Sequence, residues 1–180
     1  MNLDEKQFKS VYDEHSKLIY NLCLSYVLNS EDAQDITQEV FVKVYKNYHK
    51  FNPSEASIKT WIYRIAINQC LDFLKAGKAK KRFGFITSLF HPESNELIQE
   101  AANIDHPGIE LEDKEALNNL MKIIYSLPEN QKTAVILLKI EGKPHKEAAD
   151  IMDCSIKALE SLFQRAKINI QKKLKITEGF

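Results

Sequence analysis

The chain has 180 residues, and among them only three cysteines, five glycines, five prolines and one tryptophan. Cys23, Cys70 and Cys154 are odd in number and far apart, with no C-x-x-C pair, so reduced thiols in a cytoplasmic protein are expected. With so little Gly and Pro, most of the chain falls to Leu, Lys, Glu, Ala and Gln, which favour helix. No apolar run approaches the roughly 18 residues a membrane span needs, so no membrane insertion is expected. The opening MNLDEKQF has no basic start followed by an apolar run, so no secretory signal is expected. A phosphate-cradling glycine loop, a nucleophile motif and matched ligand pairs are all missing, which argues against a helical hydrolase. No catalytic residue, metal or cofactor is expected.

Net charge is also lacking, but only as a sum. Lys and Arg total 25, as do Asp and Glu. Residues 1–58 hold six Lys and nine acids, net −3; residues 59–83 hold seven cations and one acid, net +6. Residues 84–116 hold one Lys and eight acids, net −7; residues 139–180 hold nine cations and six acids, net +3. Two basic zones separated by an acidic one suit contact with a polyanion at two places. A hydrophobic fraction of 44% against 28% charged predicts a packed protein rather than a disordered one.

Apolar residues recur at threes and fours from Phe8 through Val11, Tyr12, His15, Leu18, Ile19 and Leu22 to Tyr26, predicting a helix over 3–28. Ser30 is the expected cap of a second helix reaching Tyr48, with a core face of Ala33, Ile36, Val40, Val44 and Tyr48 and with Phe41 and Tyr45 beside it. The loop FNPSEASIK follows, then a helix from Thr60 to Ala76 that is expected to stop at Gly77. Residues 84–112 show no sustained period and read as a linker. Helical pattern resumes at Leu111, and another helix starts at Pro128 and ends at Gly142. The fold class predicted is all-α: two small helical domains, 1–83 and 113–180, joined by an acidic linker, 84–112.

Residues 144–170 fit a helix-turn-helix: a short helix over 145–152, a turn at Asp153, Cys154 and Ser155, and a second helix from Ile156. Ala148, Ala149, Ile151 and Met152 would face Ile156, Leu159, Phe163 and Ala166. In such elements the second helix enters the major groove by its N-terminal end. That end offers Ser155, Lys157, Ala158, Glu160, Ser161 and Gln164, with Arg165 and Lys167 suited to phosphate.

On the third helix Arg64, Asn68, Asp72 and Lys75 share one face. Ile62, Ile65, Ala66, Cys70, Phe73 and Leu74 fill the other. Phe51, Asn52 and Ser57 precede it, Lys59 adjoins it, and Trp61 reads as a core anchor. Cations beside aromatics suit unstacked bases on a single strand.

In DAQDITQEVF, residues 32–41, Asp32, Asp35 and Glu39 fall on one side of a helix. By itself this run admits a metal site, an acid/base pair or a docking surface.

Three stretches together, DAQDITQEVFVKVYKNYHKF, KTWIYRIAINQCLDFLK and LPENQKTAVILLKIEGKPHKEAADIMDCSIKALESLFQRAK, resemble an extracytoplasmic-function sigma factor of the sigma-70 family. The likeness spans nearly the whole chain in the right order. It implies a sigma-2 domain that docks on core RNA polymerase and melts the −10 element, and a sigma-4 domain that reads the −35 element of promoter DNA. It further implies a cognate anti-sigma protein. Residue by residue, Asp35, Gln38, Glu39, Val42 and Lys46 then correspond to the polymerase-docking surface. Asn52, Ser57, Lys59, Arg64, Asn68, Asp72 and Lys75 correspond to −10 recognition, and the first turns of the last helix to −35 recognition. Glu160 and Leu162 stand where basic residues are frequent in the family. A stand-alone DNA-binding regulator would explain the helix-turn-helix but not the acidic and amide face of the second helix.

Overall fold

A computed structural model describes residues 4–90 and 119–177, and every described element is helical. Helix α1 spans Glu5–Val27 and starts at a capping box. Asp4 Oδ1 accepts from the Gln7 amide at 2.7 Å, and Gln7 Oε1 accepts from the Asp4 amide at 3.2 Å. It ends at Leu28, which turns into the left-handed region (φ 57°) and lets the chain double back. Helix α2 spans Ser30–Asn47. Its cap is Asn29, not Ser30 as expected: Asn29 Oδ1 accepts from the Asp32 amide at 2.9 Å. Asn and Ser serve this position equally well, and the position of the left-handed turn decides which residue is used.

A short 3-10 turn, Tyr48–Lys50, leads to the loop and then to α3, Ile58–Phe90. Ser57 caps it, its hydroxyl accepting from the Thr60 amide at 3.1 Å. The helix therefore begins two residues before the expected Thr60 and runs through Gly77, where it was expected to stop. An interior glycine costs only about 1 kcal/mol, and the Ala and Lys residues around it are strong helix formers. The helix also covers 84–90, the first part of the stretch read as linker; 91–112 lies outside the described residues, as does the expected helix start at 111–118.

Ile19, Leu22, Cys23 and Tyr26 of α1, Ala33, Ile36, Val40, Phe41 and Val44 of α2, and Ile62, Tyr63, Ala66 and Cys70 of α3 are buried together. Several expected core positions lie on the rim of this stripe instead. Tyr12, Leu18, Tyr45 and Phe73 are exposed and Tyr48 is half-buried. Tyr12 and Tyr45 lean their edges on Phe41 and Phe8, at centroid distances of 4.8 and 5.2 Å. Phe73 follows Cys70, the last wholly buried residue of α3 among those whose burial is described. Trp61 is half-buried against Phe51 and Tyr48, at 5.4 and 6.3 Å, so it fixes the loop to the head of α3.

In the C-terminal part, described residues 119–125 are helical (α4). Helix α5, Glu129–Val135, follows Pro128 and passes into a π-helical turn, Ile136–Ile140. Gly142 ends this segment with φ 62°, a conformation glycine adopts without a Cβ clash. Helix α6 is His145–Ile151 and α7 is Ile156–Thr177. Ala148, Ala149, Ile151 and Leu159 are buried together, with Met152 and Phe163 half-buried, whereas Ala166, expected to face α6, packs instead with Ile124, Leu127 and Val135. Ile156 is exposed, contrary to expectation, because it is the first residue of its helix and no preceding turn covers it. The two helical parts do not stand apart: Ile136, Leu137, Ala149 and Leu159 join the same continuous apolar core as α1–α3.

Candidate functional site

Helix α2 has two unlike sides. Inward lie Ala33, Ile36, Thr37, Val40, Phe41 and Val44; outward, Asp35, Gln38, Glu39, Val42 and Lys46 are all exposed. Val42 keeps half its surface in water although nothing polar requires it there. Gln69 of α3 ties down one edge of the strip, donating to Glu39 Oε2 and accepting from Lys43 Nζ. The first of these bonds leans Glu39 toward α3. Among the described residues no group of three or more His, Cys, Asp or Glu is placed to hold a metal ion. No helix among them is long and apolar enough to cross a membrane.

The loop and α3 carry the second set. Asn52 is folded on itself: its Oδ1 accepts from the Ser54 amide at 3.1 Å and hydroxyl at 2.8 Å, and its Nδ2 donates to Glu55 Oε1 at 2.8 Å. Ser57 spends its hydroxyl on capping α3. Asn68 and Asp72 are exposed. Lys59, Arg64 and Lys75 all face acceptors from the C-terminal part. Lys59 Nζ lies 2.8 Å from Glu147 Oε1 and Lys75 Nζ 3.3 Å from Glu129 Oε2. Arg64 Nη2 donates to the Asp150 carbonyl at 2.7 Å and to Asp153 Oδ1 at 3.1 Å. The Lys59 ammonium holds the Glu147 carboxyl below the usual carboxylate range. Beside Arg64 and Asn68, a cleft of about 300 Å³ opens between α3 and Asn130, Thr133 and Met152.

The third set sits on α7. Ser155 Oγ accepts from the Ala158 amide at 3.2 Å and caps the helix as expected. Asp153, with φ 53°, makes the tight turn before it. Ser155, Lys157, Ala158, Glu160, Ser161, Gln164, Arg165 and Lys167 are all exposed along its first turns. Leu159 and Ala166 hold the opposite side in the core.

Sequence reasoning missed the acids that meet α3. Glu147, Asp150 and Asp153 recur at threes, opposite the buried alanines of α6. That spacing was a legible signal of an acidic face, but nothing local said what it would meet. Glu141 was missed as well. Burial pushes its carboxyl up from the ordinary value, eased by the Ser25 hydroxyl, which donates to Oε1 at 3.2 Å.

The comparisons with known proteins agree on one family. Residues 11–80 match the model of Sigma-70 region 2, and residues 117–170 match that of Sigma-70, region 4. The ECF RNA polymerase sigma-E factor of Haemophilus influenzae is 29% identical over 172 residues, covering 95% of this chain and 89% of that protein. The protein of the same name from Escherichia coli K12 is 28% identical over 171 residues, covering 95% and 88%. Among solved structures, CnrH in complex with the cytosolic domain of CnrY shares the fold at a TM-score of 0.61 and 17% identity, over 96% of this chain and 90% of that one. The sigma factor RpoE of Bartonella quintana, in complex with the anti-sigma factor NepR, does so at 0.61 and 22%, over 95% and 98%.

An exposed helix-turn-helix after a three-helix part, matched along the chain by the models of region 2 and region 4, marks a transcription specificity factor. The chain belongs to the extracytoplasmic-function sigma factors of the sigma-70 family, and its function is promoter-specific initiation of transcription together with RNA polymerase.

Proposed function

We propose that three surfaces divide the work. The outward strip of α2 (Asp35, Gln38, Glu39, Val42 and Lys46) docks on core RNA polymerase. The loop and α3 (Asn52, Ser57, Lys59, Arg64, Asn68, Asp72 and Lys75) take the −10 element and hold its unstacked bases. The head of α7, from Ser155 to Lys167, reads the −35 element in the major groove. The observation that carries this reading is the exposure of every residue of the α2 strip, on a helix whose opposite stripe (Ala33, Ile36, Val40 and Val44) is buried. A strip of carboxylates and amides around an exposed valine fits a basic, partly apolar partner helix.

The domain boundaries follow the same division: 1–83 for docking and −10 recognition, 84–112 as linker, 113–180 for −35 recognition. The chain has no reaction of its own in this reading; the polymerase does the chemistry, in the cytoplasm. A cognate anti-sigma protein is the proposed regulator, a reading supported by the NepR-bound neighbour of like fold.

A pull-down with core polymerase tests the docking surface. Asp35→Arg is exposed and should fold normally while losing at least tenfold in polymerase affinity; unchanged binding would refute the assignment. A stand-alone regulator, by contrast, would bind promoter DNA fully without polymerase.

A further inference from the structure

We propose that Glu160 makes a cytosine part of the −35 element, its carboxylate accepting from the cytosine N4 amino group in the major groove. The proposal rests on the reading of the α7 head as the −35 surface. Helix α7 carries six Lys and Arg but a single acid, Glu160. That acid lies in the exposed stripe that also holds Lys157, three residues before it, and Gln164, four after it.

Nothing inside the chain accounts for an acid at this place. Glu160 is exposed and has no ion-pair or hydrogen-bond partner among the described residues, although Lys157 stands one turn away. It is the fifth residue of α7, past the first turn in which a carboxylate steadies a helix. Ser155 already supplies the cap, and the position that would complete a capping box is Ala158. The stripe is also held in place from behind. Leu159 is wholly buried and Phe163 half-buried, so α7 cannot roll Glu160 away from a bound duplex without uncovering them.

A carboxylate brought into the groove is repelled by the phosphates on either side, which costs affinity unless a donor meets it. It can only accept hydrogen bonds. The base edges of the major groove hold two kinds of donor, cytosine N4 and adenine N6; guanine shows N7 and O6, and thymine O4, all acceptors. Adenine sets its N7 acceptor beside N6, so the second carboxylate oxygen would face a lone pair there. Cytosine sets a C–H beside N4. Cytosine therefore fits best, and guanine or thymine in its place turns an acceptor on an anion. Glu160 thus selects by rejection as well as by attraction, through a charge left unpaired against the wrong base.

Holoenzyme reconstituted from the full chain and core polymerase, selecting from random-sequence duplexes, tests this. Sequencing of the retained duplexes should show one base pair of the −35 element held as C·G in a single orientation, with the reversed pair and both A·T orientations at least about fivefold rarer. Glu160→Gln changes an exposed side chain to one of like shape, whose amide bonds adenine N6 and N7 together. In that variant the same base pair should pass to A·T, with the rest of the element unchanged. Gln164→Ala and Lys157→Ala should each blur a different base pair. If Glu160→Gln retains every preference of the parent while either of the other variants alters one, α7 reads DNA without Glu160 and the proposal is overturned. An A·T pair favoured by the parent at the position that Glu160→Gln alters overturns the cytosine assignment. If none of the three variants alters any base pair, α7 does not face the groove, and the reading of the −35 surface fails together with the proposal.

Discussion

Tyr26 of α1 donates a hydrogen bond to Thr133 of α5 at 2.9 Å, both residues are buried, and they stand 107 positions apart in sequence. This bond crosses from the N-terminal helices to the C-terminal ones inside a shared core. Burial pushes the Tyr26 phenol up, so it stays a neutral donor through the physiological range. The packing of the two parts, the closed state, is therefore held by matched buried groups as well as by ion pairs.

Tyr26→Phe keeps the ring and removes the donor. Thr133 is left to find a partner within its own helix, and the change should cost about 1 kcal/mol. For a chain of this size that lowers the melting temperature by about 2–4 °C. Calorimetry checks it, and an unchanged melting temperature would mean the two parts are already separated in solution.

Acid should act on the interface in two opposing ways. Glu147 is held low, first by its bond to Lys59, so its contribution is present above the ordinary glutamate range of about 4.3 and is lost as pH falls through its lowered value. Glu141 is raised by burial, so its ionised form weighs against the closed state at neutral pH, and that penalty disappears as pH falls through the raised value. Glu141→Gln should therefore stabilise the closed state at neutral pH, with the gain vanishing toward about pH 4. Glu147→Gln should remove the acid-side loss. Energy transfer between dyes on the two helical parts, followed against pH, separates the two effects.

Ser155→Ala removes the cap of α7. Loss of one capping bond costs about 1 kcal/mol and frays the turn that carries Lys157 and Ala158. Binding to a duplex bearing the −35 element should weaken several-fold, with no effect on polymerase pull-down. Fluorescence anisotropy with the duplex measures the first and the pull-down the second.

Gly77→Ala should stabilise α3. A Cβ at Gly77 would meet nothing within 4 Å, and the residue is exposed in a continuing helix. The gain should be about 0.5–1 kcal/mol, seen as increased helical ellipticity and a raised melting temperature. A loss would mean that the helix bends or ends at Gly77 in solution.

The sequence by itself settled the elements and their sidedness. The period of α2 predicts a buried stripe at Ala33, Ile36, Val40, Val44 and Tyr48; the first four are buried and Tyr48 is half-buried. The turn residues of the helix-turn-helix and the Ser155 cap are equally local, because a cap or a helical period is satisfied within four residues. Stripe edges were less legible. Tyr12, Tyr45 and Ile156 have the right spacing for the core, but whether a flank is covered depends on how far a neighbouring helix reaches. Gly77 misled because a glycine signals helix termination only weakly against strong formers on both sides.

Tertiary structure alone decided what the charged faces meet. Arg64 and Asp153 are 89 residues apart; Arg64 reads as part of the polar face of its helix and Asp153 only as a turn residue. Hydrophobic period tells which side of a helix turns inward; it carries no information about which polar side of another helix will lie across it. That pairing follows from the shape of the shared core, where Tyr26, Thr133, Ile136 and Leu137 fit together and bring the acids of α6 over the cations of α3.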